Sequence, residues 1–367
     1  MATSSLIAEQ LEAAATLALR RKDAAHDRCE FIELCSRDNR GKQIKQSGIH
    51  RAWHGHIEWC WAHGLHPVVI SPWGQGKSFQ LAVETPVWAL GRWPWLRITV
   101  VCNIEKNAKL RVAASARTIR ARPATQMVYP LLYIPGVHSV YSFSVYGSGG
   151  TKVDPSFQAW GVFGAGVGIR SDLMIFDDVV DQTNAIKNPI LRSSVINYID
   201  TVWMSRLTPP CLACGGSGVK GGLAAWERGS RRPCPVCLGT GGGRTLSIGT
   251  MWHREDHWHR CLRTPGYCTL LQRVNPQKTG YTSEVYGIPD GARYPSLDEL
   301  IVLGSPRSDR DELLGRLAVD QAAKHAEEVE LGMHVAMSTG QDAKVTIEVD
   351  PFALVEGSSL NAQRAGW

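Results

Sequence analysis

The stretch His66-Pro-Val-Val-Ile-Ser-Pro-Trp-Gly-Gln-Gly-Lys-Ser78 gives the strongest indication of the fold. Its apolar residues 68–70 have the character of a short strand, a loop of proline and glycine follows, and an amphipathic run extends to about Leu90. In such a loop, successive backbone N–H groups point inward at a polyphosphate, and the positive end of the following helix adds to the attraction. The order of strand, loop and helix therefore predicts a phosphate-binding loop, with an ordinary strand-to-helix turn as the alternative.

The candidate phosphate loop ends in a lysine and a hydroxyl residue. We expect Lys77 to reach the β- and γ-phosphates and the Ser78 hydroxyl to bind magnesium. The match to the motif GxxxxGK[ST] is incomplete, because Ser71 stands where the motif has its first glycine. The predicted nucleotide-binding residues are Ser71, Gly74, Gln75, Gly76, Lys77 and Ser78.

The composition of the chain indicates the broad class of protein to which it belongs. The 367 residues are 44% hydrophobic and 20% charged, which is typical of a soluble globular chain with an ample core. No apolar run approaches the roughly 20 residues that span a bilayer, and the N-terminus lacks a signal-peptide pattern. We therefore expect no membrane partner and a cytoplasmic location. The net charge of +6 and the pI near 8.8 permit a nucleic-acid partner without requiring one.

Strand and helix patterns alternate along the chain. Helical patterns are predicted at 6–28, 49–63 and 188–207, and a β-branched run at 97–103 precedes another helix at 104–122. Such alternation favours βαβ units and a parallel sheet. The basic face of the last helix is compatible with a DNA backbone or simply with solvent. Its members are Lys106, Lys109, Arg111, Arg117, Arg120 and Arg122.

The segment Ser171-Asp-Leu-Met-Ile-Phe-Asp-Asp178 has four apolar residues followed by two aspartates. A buried parallel strand delivers such carboxylates to the carboxyl edge of the sheet, where ligands bind in open α/β folds. We expect Asp177 to hold magnesium, directly or through water. Asp178 is predicted to orient or deprotonate the attacking water. Two interpretations of Arg170 stay open, an arginine finger toward a γ-phosphate and a strand-edge salt bridge.

A further apolar strand is predicted in the segment 245–257. It ends in a small hydroxyl residue, Thr250, which we expect to face the γ-phosphate. Glu255 and Asp256 then begin a helix, where acidic side chains suit the helix dipole.

Four of the ten cysteines form the pattern CxxC, 19 intervening residues, CxxC. This spacing suits a tetrahedral thiolate site, and glycines after each pair let backbone N–H groups turn toward the sulfurs. We predict structural zinc on Cys211, Cys214, Cys234 and Cys237, because four cysteines leave no open position for catalysis. Two redox CxxC pairs are the alternative. The basic residues around the site suit either contact with DNA phosphates or stabilisation of an inserted loop.

The remaining cysteines and the histidines of 49–63 carry no metal pattern of this kind. Cys29, Cys35, Cys60, Cys102, Cys261 and Cys268 are scattered, as buried thiols in a reducing compartment usually are. No metal site is expected at the histidines, because tryptophan-rich helices usually belong to the core.

With these motifs in order, the chain resembles the ATPase domain of phage terminase large subunits, over roughly residues 45 to 300. The resemblance rests on Ser-Pro-Trp-Gly-Gln-Gly-Lys-Ser at 71–78, Leu-Met-Ile-Phe-Asp-Asp at 173–178 and Ile-Gly-Thr-Met-Trp-His-Arg-Glu-Asp at 248–256. The last is similar to the family's coupling motif, in which Thr250 would act. Met-Ser-Arg-Leu at 204–207 is similar to the pair that precedes it.

The resemblance implies an α/β fold of the ASCE-type P-loop class, with a mainly parallel sheet flanked by helices. The small four-cysteine zinc knuckle is not a general feature of the family, and we interpret it as an insertion between a helix and a strand. The resemblance implies ATP and Mg²⁺ as cofactors, in addition to the structural Zn²⁺ predicted from the cysteines. It also implies ATP-driven translocation of double-stranded DNA into a prohead. The implied partners are the portal, a small terminase subunit and further copies of the chain in a ring. A phage-encoded protein of this kind would act in the host cytoplasm.

The chain departs from the family pattern at several positions. Many terminases carry arginine where this loop has Trp73, so Arg170 becomes the expected finger for a neighbouring site. Asp178 stands where a glutamate often follows the magnesium aspartate. Only 92 residues follow Asn275, fewer than a complete RNase H-like nuclease needs, so any nuclease is expected on a separate polypeptide.

The expected organisation is an N-terminal helical segment at 1–45, an ATPase domain at 46–300, a zinc knuckle inserted at 208–244 and a tail at 301–367. The tail is predicted to be helical and then disordered, with no complete nuclease domain.

Two other functions remain as alternatives. A helicase or translocase of the same ASCE division would need a second motor domain, for which the residues after the coupling motif are too few. Each CxxCxGxG half also resembles the zinc module of DnaJ-type chaperones, which would bind clients without hydrolysing ATP. That module has four repeats, whereas this chain has two.

Overall fold

A computed structural model describes residues 2–38, 40–136, 138–148, 154–164, 166, 168–274 and 281–306. The α-helices are α1 Ala2–Ala24, α2 Arg28–Cys35, α3 Gly48–Ala62, α4 Thr85–Arg92, α5 Glu105–Ala121, α6 Pro123–Val128, α7 Pro189–Tyr198, α8 Gly222–Glu227, α9 His257–Cys261 and α10 Leu297–Leu303. Segments Ser78–Glu84, Gln182–Lys187 and Ile199–Trp203 are π-helical, and Met204–Arg206 is a 3₁₀ turn. Among the described helices, none has the combination of length and apolar character needed to cross a membrane.

Eight strands of the described chain form one mixed sheet in the order β3-β4-β2-β5-β6-β1-β7-β8. Six neighbouring strands, from β4 to β7, run parallel, and the two outer strands pair antiparallel. The strands are β1 His66–Ile70, β2 Ile98–Cys102, β3 Ser142–Phe143, β4 Phe157–Gly161, β5 Leu173–Asp177, β6 Arg244–Gly249, β7 Tyr267–Val274 and β8 Tyr281–Tyr286. The predicted α/β class with a mainly parallel sheet is therefore confirmed.

Side chains of the central strands alternate between two separate cores, as the period of a strand requires. Val69, Ile175 and Ile248 point to one face, where α2, α3, α4 and α5 cover the sheet. Val68 and Phe176 point to the other, where α7 and α9 pack. The near-continuous apolar strands of the sequence thus result from burial on both faces.

The register brings the ends of three central strands to one edge of the sheet. Ile70 pairs with Gly249, and Asp177 pairs with Ile248, so β1, β5 and β6 finish side by side. Because β6 lies between the other two, its last residues separate the phosphate-loop candidate from the strand that carries Asp177. This carboxyl edge is where open α/β folds bind ligands.

The boundary between the first two helices differs from the sequence prediction. The helix predicted at 6–28 ends at Ala24, and α2 begins at Arg28 because the Asp27 carboxylate accepts a hydrogen bond from the Glu30 N–H as an N-cap. Helix α10 runs past residue 300, where the predicted ATPase domain ends. It packs closely on α3, where a Cβ added to Gly55 would stand 2.1 Å from the Leu300 carbonyl oxygen. The rest of the predicted tail lies outside the described residues.

Candidate functional site

The loop after β1 turns on two glycines. Gly74 and Gly76 have φ angles of 80° and 78°, in the left-handed region that favours glycine. Lys77 is buried and folded back on its own loop, donating to the carbonyl oxygens of Ser71 at 2.5 Å and Pro72 at 2.9 Å. Burial lowers the pKa of Lys77, while the nearby charges of Asp178 and Asp177 act in the opposite direction. An anionic ligand would therefore stabilise the charged form of the Lys77 ammonium group.

Gln75 fixes the outer part of the loop to the rest of the domain. Its carbonyl oxygen lies 3.1 Å from His50 Nε2 on α3, and its side-chain oxygen accepts a hydrogen bond of 2.8 Å from the Tyr281 hydroxyl on β8. In contrast, the side chain of Trp73 is 88% exposed. The loop is thus held by its middle while its tryptophan faces solvent.

Ser78 and Asp177, the two predicted magnesium ligands, lie in direct contact. The Ser78 hydroxyl donates to Asp177 Oδ1 at 2.7 Å, and Asp177 is buried at the end of β5. Ser78 begins the π-helical segment, directly after Lys77. Residues far apart in sequence therefore place a lysine, a hydroxyl and a carboxylate within one small site, a combination suited to a phosphate-bound divalent cation.

Arg111 is the site residue that the sequence did not single out. It belongs to the predicted basic face of α5, yet its Nε donates to Asp177 Oδ2 at 2.6 Å. Burial lowers the pKa of Arg111, but the charge of Asp177 and the hydrogen bond outweigh it, so the pKa is raised overall. Asp177 thus accepts from a hydroxyl on one oxygen and from a guanidinium on the other. Six basic residues were predicted on this helix, and their spacing does not show that Arg111, rather than another of them, contacts Asp177.

Asp178 has an unusual backbone and an unusual pKa. Its φ of 47° is in the left-handed region, held by hydrogen bonds from its N–H to Ile248 and from the Asn103 N–H to its carbonyl. Such strain at a non-glycine residue is commonly associated with function. Burial and then the charge of Asp177 raise the pKa of Asp178 to about 6. A carboxyl group with a pKa near the working pH is suited to take a proton from water.

Thr250 and Arg170 lie at different ends of the sheet. Thr250 directly follows β6 at the carboxyl edge, partly buried and next to the site in the strand order. Arg170 is exposed and precedes β5 at the amino edge. The length of the strand separates Arg170 from Asp177 by roughly 20 Å. Arg170 is therefore not part of the site formed by its own chain, and the predicted action on a neighbour's site stays a prediction.

The four clustered cysteines lie together, as their spacing predicts. The ligand atoms of Cys211, Cys214, Cys234 and Cys237 are all within 4.8 Å of one another. An antiparallel bridge between Val219 and Pro233 joins the two halves. This donor set fits a structural Cys₄ zinc site, and zinc bound there would cross-link the two halves.

Each half supplies the same hydrogen bond to a sulfur atom. The N–H groups of Gly218 and Gly241 donate to Cys214 Sγ and Cys237 Sγ, both at 3.3 Å. Both glycines have left-handed φ angles, and a Cβ on either would meet a carbonyl oxygen of the opposite half, at 2.5 Å and 2.2 Å respectively. The repeated glycines of CxxCxGxG thus serve both the close approach of the halves and the stabilisation of thiolate charge.

A second cluster contains His56, Cys60 and Cys268, whose candidate ligand atoms also lie within 4.8 Å. Both imidazole nitrogens already have neighbours: the Tyr294 hydroxyl lies 2.7 Å from Nδ1, and the carbonyl oxygen of Cys268 lies 3.2 Å from Nε2. Burial lowers the pKa of His56 to about 4, so the ring is neutral at pH 7. These contacts are typical of a core histidine that joins α3 to β7.

Comparisons with known proteins assign the chain to no family. No protein-family model matches the chain, and no curated protein matches it in sequence. The motifs and the geometry around Lys77, Asp177 and the four cysteines are therefore the support for a function.

Proposed function

We propose that this chain is the ATP-hydrolysing motor subunit of a viral terminase, translocating double-stranded DNA into a prohead in the host cytoplasm. The observation that carries the proposal is the 2.7 Å hydrogen bond between Ser78 and Asp177. It unites the phosphate-loop motif with the carboxylate strand in the arrangement that a magnesium nucleotide requires. The position of β6 between β1 and β5 also agrees with an ASCE-type fold, in which a strand separates these two elements.

Each residue of the site has a role in this proposal. The backbone of the loop and Lys77 bind the phosphates, and the Ser78 hydroxyl and Asp177 hold magnesium. When bound, Mg²⁺ neutralises phosphate charge. Asp178 orients the attacking water and accepts its proton, Thr250 couples the site to movement, and Arg170 completes the site of a neighbouring subunit. Arg111 keeps the buried Asp177 carboxylate paired.

The partners follow from the same proposal. They are double-stranded DNA, the portal of the prohead, a small terminase subunit and further copies of this chain in a ring. Zinc on the four cysteines has a structural role.

The decisive experiment measures ATP hydrolysis by the purified chain with and without linear duplex DNA. We expect DNA-stimulated hydrolysis, its loss in Lys77→Ala and zinc near one ion per chain in both proteins. Lys22→Ala, which changes an exposed lysine in the last turn of α1, is the matched control and should retain hydrolysis. Retained hydrolysis in Lys77→Ala would refute the assignment. Client binding without any turnover in the unchanged chain would favour the DnaJ-like alternative.

A further inference from the structure

Residues 208–244, which contain the four clustered cysteines, are called the zinc-binding segment below. A cavity of about 390 Å³ lies between this segment and helices α2, α3 and α4. Val219 and Trp226 of the zinc-binding segment form one wall, and Trp61 and Trp88 belong to the helical side. The volume is within the range of small-molecule sites. At the amino edge of the sheet, β6 begins with Arg244, which also lines the cavity. The cavity is therefore separate from the phosphate loop, which lies at the carboxyl edge.

Arginine and tryptophan dominate the lining. The guanidinium of Arg28 lies 5.1 Å from the ring centre of Trp61 and 5.5 Å from that of Trp88. The guanidinium of Arg244 lies 5.2 Å from the Trp61 ring. In all, four arginines face this space against two carboxylates, those of Asp27 and Glu58. The walls thus combine flat apolar surfaces with an excess of positive charge.

Three buried N–H groups of the arginine and tryptophan side chains in the lining have neither a hydrogen bond nor an ion pair within the described residues. They are Arg28 Nη1, Trp88 Nε1 and Arg244 Nε. Arg28 and Trp88 are each only 7% exposed. A buried donor without an acceptor is costly, and three around one cavity indicate an acceptor that they share.

The carboxylates of the lining already have partners. Asp27 accepts the N-cap hydrogen bond from Glu30, and Glu58 lies 3.5 Å from Arg231 Nε. Arg28 donates through Nη2 to the carbonyl oxygen of His54 at 3.0 Å, and Arg244 donates to two carbonyls of the zinc-binding segment. Neutral carbonyls do not balance the charge of a buried guanidinium group. Burial lowers the pKa of Arg28, and the charges of Glu58 and Asp27 offset this only in part.

We propose that this cavity binds a small ligand with an oxyanion group on a planar apolar body, an aryl phosphate or aryl carboxylate in chemical class. The oxyanion accepts from Arg28 Nη1, Arg244 Nε and Trp88 Nε1, and the planar part packs against the tryptophans. Since the zinc-binding segment supplies one wall, ligand binding depends on the intact cysteine site. This site is independent of the ATPase proposal.

Calorimetric titration with phenyl phosphate and benzoate tests the two oxyanions, and benzyl alcohol supplies a ring without charge. We expect saturable binding of at least one oxyanion, one per chain, and none of benzyl alcohol at the same concentration. Arg28→Gln should weaken binding at least about tenfold, because a hydrogen bond to a charged partner is lost. Trp88→Phe, which retains a ring and removes only the N–H donor, should weaken it by about threefold or more. Arg192→Gln, outside the cavity and paired with Glu255, should bind as the unchanged chain does.

Binding should also depend on the cysteine site and not on the phosphate loop. Removal of zinc with a chelator should abolish binding, whereas Lys77→Ala should leave it intact. Absence of saturable binding at millimolar ligand, or equal binding by the folded Arg28→Gln and Trp88→Phe variants, would overturn the proposal. Loss in Lys77→Ala would also overturn it, since the ligand would then occupy the phosphate loop.

Discussion

Arg111 and Asp177 form a 2.6 Å ion pair in which the carboxylate is fully buried and the guanidinium is about one-quarter exposed. The pair joins the first turns of α5 to the end of β5, next to Ser78. A buried carboxylate needs a cation, and here the protein supplies one from its own chain. In the proposed reaction, magnesium and Arg111 therefore both neutralise the charge of the Asp177 carboxylate.

Arg111→Gln is expected to destabilise the magnesium-free protein by about 2–3 kcal/mol, because it leaves Asp177 buried without its counter-charge. Magnesium with nucleotide should stabilise this variant more than the unchanged chain. Urea unfolding with and without the ligand measures both effects. Arg273→Gln, which removes an ion pair with Glu284 in which both side chains are exposed, should cost less than about 0.5 kcal/mol. Equal losses in the two variants would contradict the role of the buried pair.

Asp178→Asn tests how much the buried, charged carboxylate lowers the free energy of unfolding. Its pKa is raised from 3.8 to about 6 by burial and by Asp177, so ionisation destabilises the folded chain. This cost is fully present above about pH 6 and disappears below pH 4, where the carboxyl group is protonated in both folded and unfolded states. Without magnesium at pH 8, the variant should be more stable by about 1–3 kcal/mol. The difference should shrink to zero as the pH of the unfolding experiment falls to 4.

The same substitution should remove the proposed catalytic base. Hydrolysis by the unchanged chain should decline as the pH falls through about 6, and Asp178→Asn should be inactive at every pH. A stabilised variant with full activity would exclude Asp178 as the base.

Arg170 should act between subunits, because roughly 20 Å of strand separates it from Asp177 in its own chain. Arg170→Ala and Lys77→Ala should each lower DNA-stimulated hydrolysis by about a thousandfold or more. Mixing the two inactive proteins on DNA should restore part of the activity, since each supplies the group that the other lacks. Arg170→Ala with normal turnover would leave this residue as an exposed strand-edge arginine.

Cys211→Ser should abolish zinc binding and loosen the segment 208–244 without dismantling the sheet. Limited proteolysis should then cut within this segment, while basal ATP hydrolysis persists. Cys261→Ala removes one of the scattered thiols and should leave zinc at one ion per chain. Global unfolding of Cys211→Ser, detected by circular dichroism, would show that the cysteine site supports the whole domain.

The positions of the main chemical groups were predictable from local patterns. An apolar strand that ends in a loop or in carboxylates places those residues at the carboxyl edge, so Lys77, Ser78 and Asp177 converge by topology alone. The spacing of the four cysteines likewise predicted that their sulfur atoms lie together. The position of Arg170 at the amino edge also follows from its place before a parallel strand.

Contacts between distant elements could not be predicted in this way. Arg111 is one of several cations on α5, and only the packing of that helix over β2, the strand next to β5, selects it as the partner of Asp177. His56 meets Cys268 through the approach of α3 to β7, for which neither residue carries a local signal. The break after Ala24 depended on Asp27 capping a new helix in a region whose apolar spacing continued.

The antiparallel bridge between Pro210 and Gly242 closes the neck of the zinc-binding segment where it joins the sheet. Just beyond it, the Cys211 N–H donates to the carbonyl oxygen of Gly241 at 2.9 Å. The two ends of the segment therefore meet, and Arg244 resumes the sheet beside β5. We therefore expect that a short hairpin turn could replace the segment without shifting β5, which carries Asp177, or β6, which Thr250 follows.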